Sequence, residues 1–289
     1  MDVSQREVLL VFSGILGLLV GSFLNVCIFR LPRNCMSLVK PRSRCPKCLR
    51  WIAWYDNIPV ASWLILGRKC RGCRAPISPR YALVELLTGA LFLYAGYRQL
   101  YGAATPGFEQ AVVFVTHAWF LSALIVSTFI DLDLRILPDE ITISGVGIGL
   151  AASAFFPFLQ PLPATFFRDP WLAGLFGSAV GALVGGGVIK VVGVLGELIF
   201  RKEAMGGGDV KYMAMVGAVL GWQGVLWTFM LACLLGSVFG IGKFVAVRRM
   251  GYVPFGPFLS GGALVMLLWP HWVKLGVQWY LGFFRPGHP

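Results

Sequence analysis

The sequence predicts an all-α polytopic membrane protein of about eight transmembrane helices, with one small cysteine-bearing domain outside the bilayer. Three observations carry this expectation. The chain is 57% hydrophobic with a mean hydropathy of +0.75, above the roughly 45–50% apolar content of soluble domains. The excess is gathered into long uncharged runs, and a bilayer core takes about 20 apolar residues per helix. Lys and Arg crowd into a single segment between two of those runs.

Eight runs qualify, in order Val8–Phe29, Ala82–Leu100, Ala111–Ile130, Ile141–Pro157, Trp171–Ile189, Val210–Gly221, Val225–Val247 and Phe258–Trp272. The sixth is short. The first reads as a permanent anchor, because no small-residue cleavage site follows it and the chain passes directly into Arg30-Leu31-Pro32-Arg33. In the fifth run Gly177, Gly181 and Gly185 recur every four residues, the spacing that lets membrane helices approach closely. Lys190, near the inner end of that run, snorkels to the interface. Pro157–Pro170 reads as a variable outer loop, and no internal repeat is evident.

Twelve of the 25 Lys and Arg residues lie between Arg30 and Arg80, facing the single acid Asp56. The positive-inside rule places that loop in the cytoplasm. Alternate counting puts the N-terminus, the loops near Tyr101 and Pro161 and the C-terminal tail outside. Asp131–Glu140, Arg201–Asp209 and Arg248-Arg249 fall inside. A net charge of +12 also suits nucleic acid, but topology accounts for it, so no nucleic-acid partner is expected. The division is a first helix over residues 1–30, a cytoplasmic domain over 31–80 and a membrane bundle over 81–289.

The loop holds Cys45-Pro-Lys-Cys48 and Cys70-Arg-Gly-Cys73, two CxxC turns separated by 21 residues. Two thiolates at this spacing grip one ion, and two such turns complete a tetrahedral shell, so Cys45, Cys48, Cys70 and Cys73 are the expected zinc ligands. The alternatives are disulfides or free thiols, and a reducing cytoplasm disfavours the first. Four cysteines leave no open coordination position, which points to a structural ion stapling a weak core. Cys27, Cys35 and Cys233 show no pairing logic.

Acids are scarce, 13 in all. The third run ends directly in Asp131, followed by Leu-Asp133-Leu-Arg-Ile-Leu-Pro-Asp139, and the sixth opens Gly206-Gly207-Gly208-Asp209. Asp131 and Asp209 thus sit at inner helix mouths, where the cost of an ion, on the order of 3 kcal/mol at the bilayer centre, is reduced. Two carboxylates that share a proton can hydrolyse a peptide bond, one as base and one as acid. The glycines before Asp209 permit close backbone approach. Helix ends favour the anion at Asp209 and oppose it at Asp131. Taken singly, Asp133, Asp139, Glu140 and Asp209 each fit helix capping or charge balance better than catalysis. A proton-coupled transporter and a non-catalytic scaffold with a zinc module remain rival classes.

The whole ordered set resembles the type IV prepilin peptidases, a branch of the GxGD intramembrane aspartic proteases. The resemblance rests on Gly206–Asp209, on Asp131–Asp139, on Gly21-Ser-Phe-Leu-Asn-Val-Cys-Ile-Phe-Arg-Leu-Pro32 and on Ile77-Ser-Pro-Arg-Tyr-Ala-Leu-Val-Glu-Leu-Leu87. It covers about Gly14 to Arg249. It implies an enzyme that cleaves the basic leader of type IV prepilins or type II secretion pseudopilins at the cytoplasmic membrane face. It further implies methylation of the new amino terminus with S-adenosylmethionine. Carried over by position, the catalytic pair is Asp131 and Asp209, and the cysteine loop marks the methylating members.

Overall fold

The structure, a computed structural model, describes residues 3–33, 37–102, 107–160, 169–201, 205–247 and 254–283. Cys35, the Arg248-Arg249 turn, most of the Pro157–Pro170 loop and the end of the C-terminal tail lie outside the described residues. Among those described the chain is helical, with no strand beyond two isolated bridges in the cysteine loop. It divides into two compact units, Met1–Ile136 and Leu137–Pro289.

The first unit begins with α1 (Val3–Arg30), followed by the cysteine loop with a 3-10 turn at Trp54–Asn57 and the short α2 (Ala61–Ile65). Next come α3 (Pro79–Gly96), which widens into a π-helical turn at Tyr97–Tyr101, and α4 (Phe108–Leu134). The Ser78 hydroxyl accepts from the Arg80 N–H at 3.3 Å and Pro79 occupies the first helical turn, an N-terminal signal that fixes where α3 starts. α1 and α3 meet backbone to backbone. A Cβ at Gly17 would lie 2.7 Å from Phe92 Cβ, and one at Gly21 would lie 2.8 Å from Glu85 Cα.

The second unit holds α5 (Asp139–Phe155), α6 (Pro170–Phe200), α7 (Gly207–Val247), α8 (Gly256–Leu268) and α9 (Pro270–Phe283). The expected break between the sixth and seventh runs falls inside α7 at Gly221, whose φ of 71° and ψ of 173° are essentially reserved to glycine. In a straight helix residues eight apart stand about 12 Å apart. Here a Cβ at Gly217 would lie 2.9 Å from Val225 Cγ2, so the chain turns back at Gly221. That turn removes N–H donors from the last carbonyls of the first half. The Ala218 carbonyl accepts instead from Ser178 Oγ of α6 at 2.7 Å and from Gln160 Nε2 at 3.0 Å.

Gly181 and Gly217 face each other so closely that a Cβ on either would strike the other's carbonyl oxygen, and a Cβ at Gly185 would strike the Met213 carbonyl. Two of the three periodic glycines of the fifth run therefore act in packing, as expected. Among the described residues four helical stretches are long and apolar enough to cross a membrane, Gln5–Arg33, Phe108–Leu134, Pro170–Ile199 and Gly207–Lys243, the last of them divided by the turn at Gly221, so the expected count of eight is not reached on length and composition. Leu183, Leu198 and Val238 on these helices are largely exposed, which suits lipid tails rather than water. The last run ends early, at Leu268, and Pro270 opens α9. Hydropathy missed that helix because His271, Lys274 and Gln278 interrupt its apolar residues.

Replacing Gly181 by Val should destabilise the second unit by about 1–3 kcal/mol, since the branched side chain meets backbone that cannot yield. Gly187→Val, with nothing within 4 Å of its Cβ position, is the control. Thermal unfolding in detergent should fall for the first variant and hold for the second.

Candidate active site and metal centre

The two CxxC turns are built alike. In the first, the Leu49 N–H donates to the Cys45 carbonyl at 2.9 Å, the Cys45 N–H to Arg50 at 3.0 Å and the Ile52 N–H to Ser43 at 3.0 Å. In the second, Arg74 donates to Cys70 at 3.0 Å, Cys70 to Ala75 at 2.8 Å and Ile77 to Arg68 at 2.7 Å. Each partner is displaced by 25 residues, and so are the Arg44–Trp51 and Lys69–Pro76 bridges and the left-handed residues Leu49 and Arg74. The loop thus holds two separated copies of one ten-residue unit, correcting the expectation of no internal repeat. Only two cysteines and a trailing isoleucine are common to the copies, Ser43–Ile52 and Arg68–Ile77, because backbone hydrogen bonds rather than side chains define the turn.

The four cysteine sulfurs, Cys45, Cys48, Cys70 and Cys73, lie within 4.8 Å of one another, and Cys45 Sγ stands 3.8 Å from Cys73 Sγ. A tetrahedron with Zn–S bonds of about 2.3 Å has edges of about 3.8 Å. The cluster therefore fits a zinc ion, and Cys27 and Cys233 are no part of it. The Cys48 and Lys47 N–H groups point at Cys45 and bring its thiol down to about 6. The Cys73 and Gly72 N–H groups lower Cys70 in the same way. At Cys73 the Ala75 N–H pulls downward, but desolvation and the neighbouring thiols prevail and leave it at about 11. Asp56, the one acid of the loop, accepts three hydrogen bonds from Arg71 at 2.6–3.0 Å. The guanidinium holds its carboxyl below the usual range and ties the 3-10 turn to the second CxxC turn.

Asp131 closes α4 in the first unit. It is 7% exposed, its carbonyl accepts from the Arg135 N–H at 2.9 Å, and Arg135 ends the helix in the left-handed conformation. Arg80 grips the same turn from α3. Its guanidinium bonds Asp133 Oδ1 at 2.6 Å and the Phe129 carbonyl at 3.1 Å and lies 4.9 Å over the Phe129 ring. Asp209 lies half-buried in the first turn of α7 in the second unit. Of the glycines before it, Gly208 is the one under steric demand, since a Cβ there would stand 3.3 Å from Leu137 Cβ. Lys211, two residues on, binds both carboxylate oxygens of Asp139 at 2.7 Å. Asp133 and Asp139 are thus engaged by cations. Arg80 and Glu85 both lie in the Ile77–Leu87 segment but had no role in the sequence reading. Their signal is a charge on an otherwise apolar helix.

Two family models match the chain, the Bacterial Peptidase A24 N-terminal domain over residues 15–99 and the Type IV leader peptidase family over residues 118–241. The first contains the four cysteines and the second both Asp131 and Asp209. A prepilin leader peptidase/N-methyltransferase of Aeromonas salmonicida (strain A449) is 35% identical over 290 residues, covering 91% of each chain. The chain belongs to the type IV leader peptidase family. A protein of the same name from Stutzerimonas stutzeri is 36% identical, over 94% of this chain and 93% of its own. One from Myxococcus xanthus (strain DK1622) is 43% identical over 83% of this chain, which spans 65% of that relative's length. No solved structure matches the chain.

Metal uptake by the stripped cluster should be proton-linked in a way the thiol values dictate. At pH 7.5 Cys45 already carries its charge, whereas Cys73 must give up a proton on binding. Fewer than one proton per cysteine should then be released, rising as pH falls through about 6, where Cys45 is protonated and affinity weakens. Calorimetry in buffers of different ionisation enthalpy counts these protons. A full complement released at pH 7.5 would contradict the assignment.

Proposed function

We propose that this chain removes the basic leader of type IV prepilins or type II secretion pseudopilins and then methylates the new amino terminus, with Asp131 and Asp209 as the hydrolytic pair. The observation that carries the reading is the disposition of the acids in the family's motifs. Asp131 lies in the last turn of α4 in the first unit and Asp209 in the first turn of α7 in the second, while the neighbouring Asp133 and Asp139 are spent in ion pairs with Arg80 and Lys211. Exposed pairs of that kind contribute only about 0–1 kcal/mol, so their value here is orientation. Membership of the family and the names of the full-length Aeromonas and Stutzerimonas relatives support the activity.

In this mechanism Asp209, at a helix N-terminus, is the base that takes a proton from water. Asp131, buried at a helix C-terminus, holds the proton that supports the scissile carbonyl. The water oxygen bonds to the carbonyl carbon, the C–N bond breaks and the leaving amine takes up a proton. The basic leader remains on the cytoplasmic side of the inner membrane and the apolar segment of the pilin lies in the bilayer, so the bond is cut at the inner interface. Zinc held by Cys45, Cys48, Cys70 and Cys73 supplies structural cross-linking to the loop. S-adenosylmethionine supplies the methyl group. Among the described residues no strand exists from which a glycine-rich dinucleotide turn could spring, so no residue is assigned to it. Residues 1–30 are the first membrane helix, 31–80 the zinc domain of the methylating activity and 81–289 the peptidase bundle.

Purified protein incubated with a prepilin, with and without S-adenosylmethionine, tests both activities through the mass of the new amino terminus. Asp131→Asn and Asp209→Asn should each lower leader cleavage on the order of 10³-fold while still methylating a pre-cleaved pilin. Cleavage near the native rate in either variant would overturn the assignment. Arg80→Ala should lower kcat for cleavage by up to about 10²-fold with KM little changed, as expected when a catalytic group is displaced by about 1 Å.

A further inference from the structure

The segment between the CxxC turns, residues 49–69, is more than a spacer. It folds into the 3-10 turn at Trp54–Asn57 and α2 (Ala61–Ile65), which pack against each other. This elbow turns apolar side chains outward, with Trp54 81%, Ile65 80%, Leu64 59% and Ile58 46% exposed. A small domain stapled by one ion has every reason to bury such residues, and water is a poor environment for them together. Basic side chains flank the elbow, Arg50 before it and Arg68 and Lys69 after it, and Asp56 inside it is consumed by Arg71.

The position of the elbow along the membrane helices identifies what covers these residues. The Val60 N–H, between the two short helices, donates to Glu85 Oε2 at 2.7 Å. Val60 is held there at φ 60° and ψ −49°, the centre of a tight turn in which the Ala61 N–H donates to the Pro59 carbonyl at 2.5 Å, and a β-branched residue rarely adopts a positive φ. Glu85 lies six residues into α3, about 9 Å along its axis from Pro79. It is also bonded by Ser22, beside the Gly21 position that touches Glu85 Cα. Gly21 is nine residues before the end of α1 at Arg30, about 13 Å inside a stretch long and apolar enough to span a membrane. The elbow is therefore held roughly 10 Å inward from the ends of the two helices that carry it, a distance that in a membrane-spanning helix reaches lipid headgroups and upper acyl chains.

We propose that the Trp54–Ile65 elbow is a membrane-inserted element, seated in the headgroup and acyl boundary of the leaflet on its own side, with anionic lipid as its partner. Trp54, Ile58, Leu64 and Ile65 enter the apolar layer, and Trp54 takes the interfacial position aromatic rings favour. Arg50 and Arg68 meet anionic headgroups, the usual gain for basic residues next to an apolar anchor. The Glu85–Val60 hydrogen bond sets the depth. The inference rests on the placement of the loop and stands whether or not the proposed peptidase activity does.

The test places a photo-crosslinking p-benzoylphenylalanine at Ile65, and separately at Trp54, in full-length protein carrying its metal. Each variant is reconstituted in nanodiscs of phosphatidylcholine with or without phosphatidylglycerol, and Lys47 at the tip of the first CxxC turn is the reference. Irradiation should give phospholipid adducts at Ile65 and Trp54 several-fold above Lys47. Phosphatidylglycerol should raise the yield further, and Arg50→Gln with Arg68→Gln should remove that increase. Adducts no greater than at Lys47 overturn the proposal. Labelling of an added prepilin in place of lipid also overturns it, and makes the elbow a protein-docking surface. Lipid adducts indifferent to phosphatidylglycerol overturn its anionic half alone.

Discussion

Burying a charge in an apolar helix is tolerable only where partners satisfy it, and in this chain that constraint is met on the first two turns of α3. Glu85 takes the Val60 N–H of the cysteine loop and a hydrogen bond from Ser22 of α1. Arg80 takes Asp133 and the Phe129 carbonyl at the end of α4. Asn25 of α1 adds a bond from Nδ2 to the Tyr81 carbonyl at 3.1 Å. One short stretch thereby orders the loop, the first helix and the turn that bears Asp131. Removing the Glu85 carboxylate would leave the Val60 N–H without its partner, whereas the Arg80–Asp133 pair is exposed and acts through orientation.

Glycine does the corresponding work in the second unit by being absent of side chain. With lipid outside as apolar as the helix surfaces, association relies on close backbone contact and a few hydrogen bonds. The Gly181–Gly217 contact supplies the first, and Ser178 and Gln160 supply the second at the Ala218 carbonyl exposed by the turn at Gly221. Asp209 is then presented at the start of the helix so packed, with Gly208 fitted against Leu137 and Lys211 joined to Asp139. The two carboxylate-bearing turns are thus supported in different ways, one by a charged network and one by steric fit.

The metal loop follows a third logic. Its hydrogen-bond pattern repeats at an offset of 25 residues although the copies share little beyond their cysteines and one isoleucine. A turn whose N–H groups are aimed at sulfur requires the right backbone, which many side chains permit. Such a repeat is almost silent to inspection of residues and plain once the bonds are drawn.

What the sequence determined by itself was whatever depends on local chemistry or composition. Long apolar runs must become helices in a membrane because no other local structure satisfies the backbone there, and two CxxC turns that meet make a set of thiols able to hold an ion. The motif acids Asp131 and Asp209 could be picked out because charges bordering apolar runs are rare. The tertiary structure decided matters that depend on partners distant in the chain. It showed that Arg80 and Lys211 occupy Asp133 and Asp139, that Glu85 reaches Val60, and that Gly221 reverses a helix which hydropathy could only interrupt. It also revealed α9, whose polar residues hid it from a hydropathy window. The physical reason is common to all of these. A hydrogen bond or a steric contact between residues 25 to 72 positions apart leaves no mark on the hydropathy or spacing of either end, and exists only once packing has brought the two together.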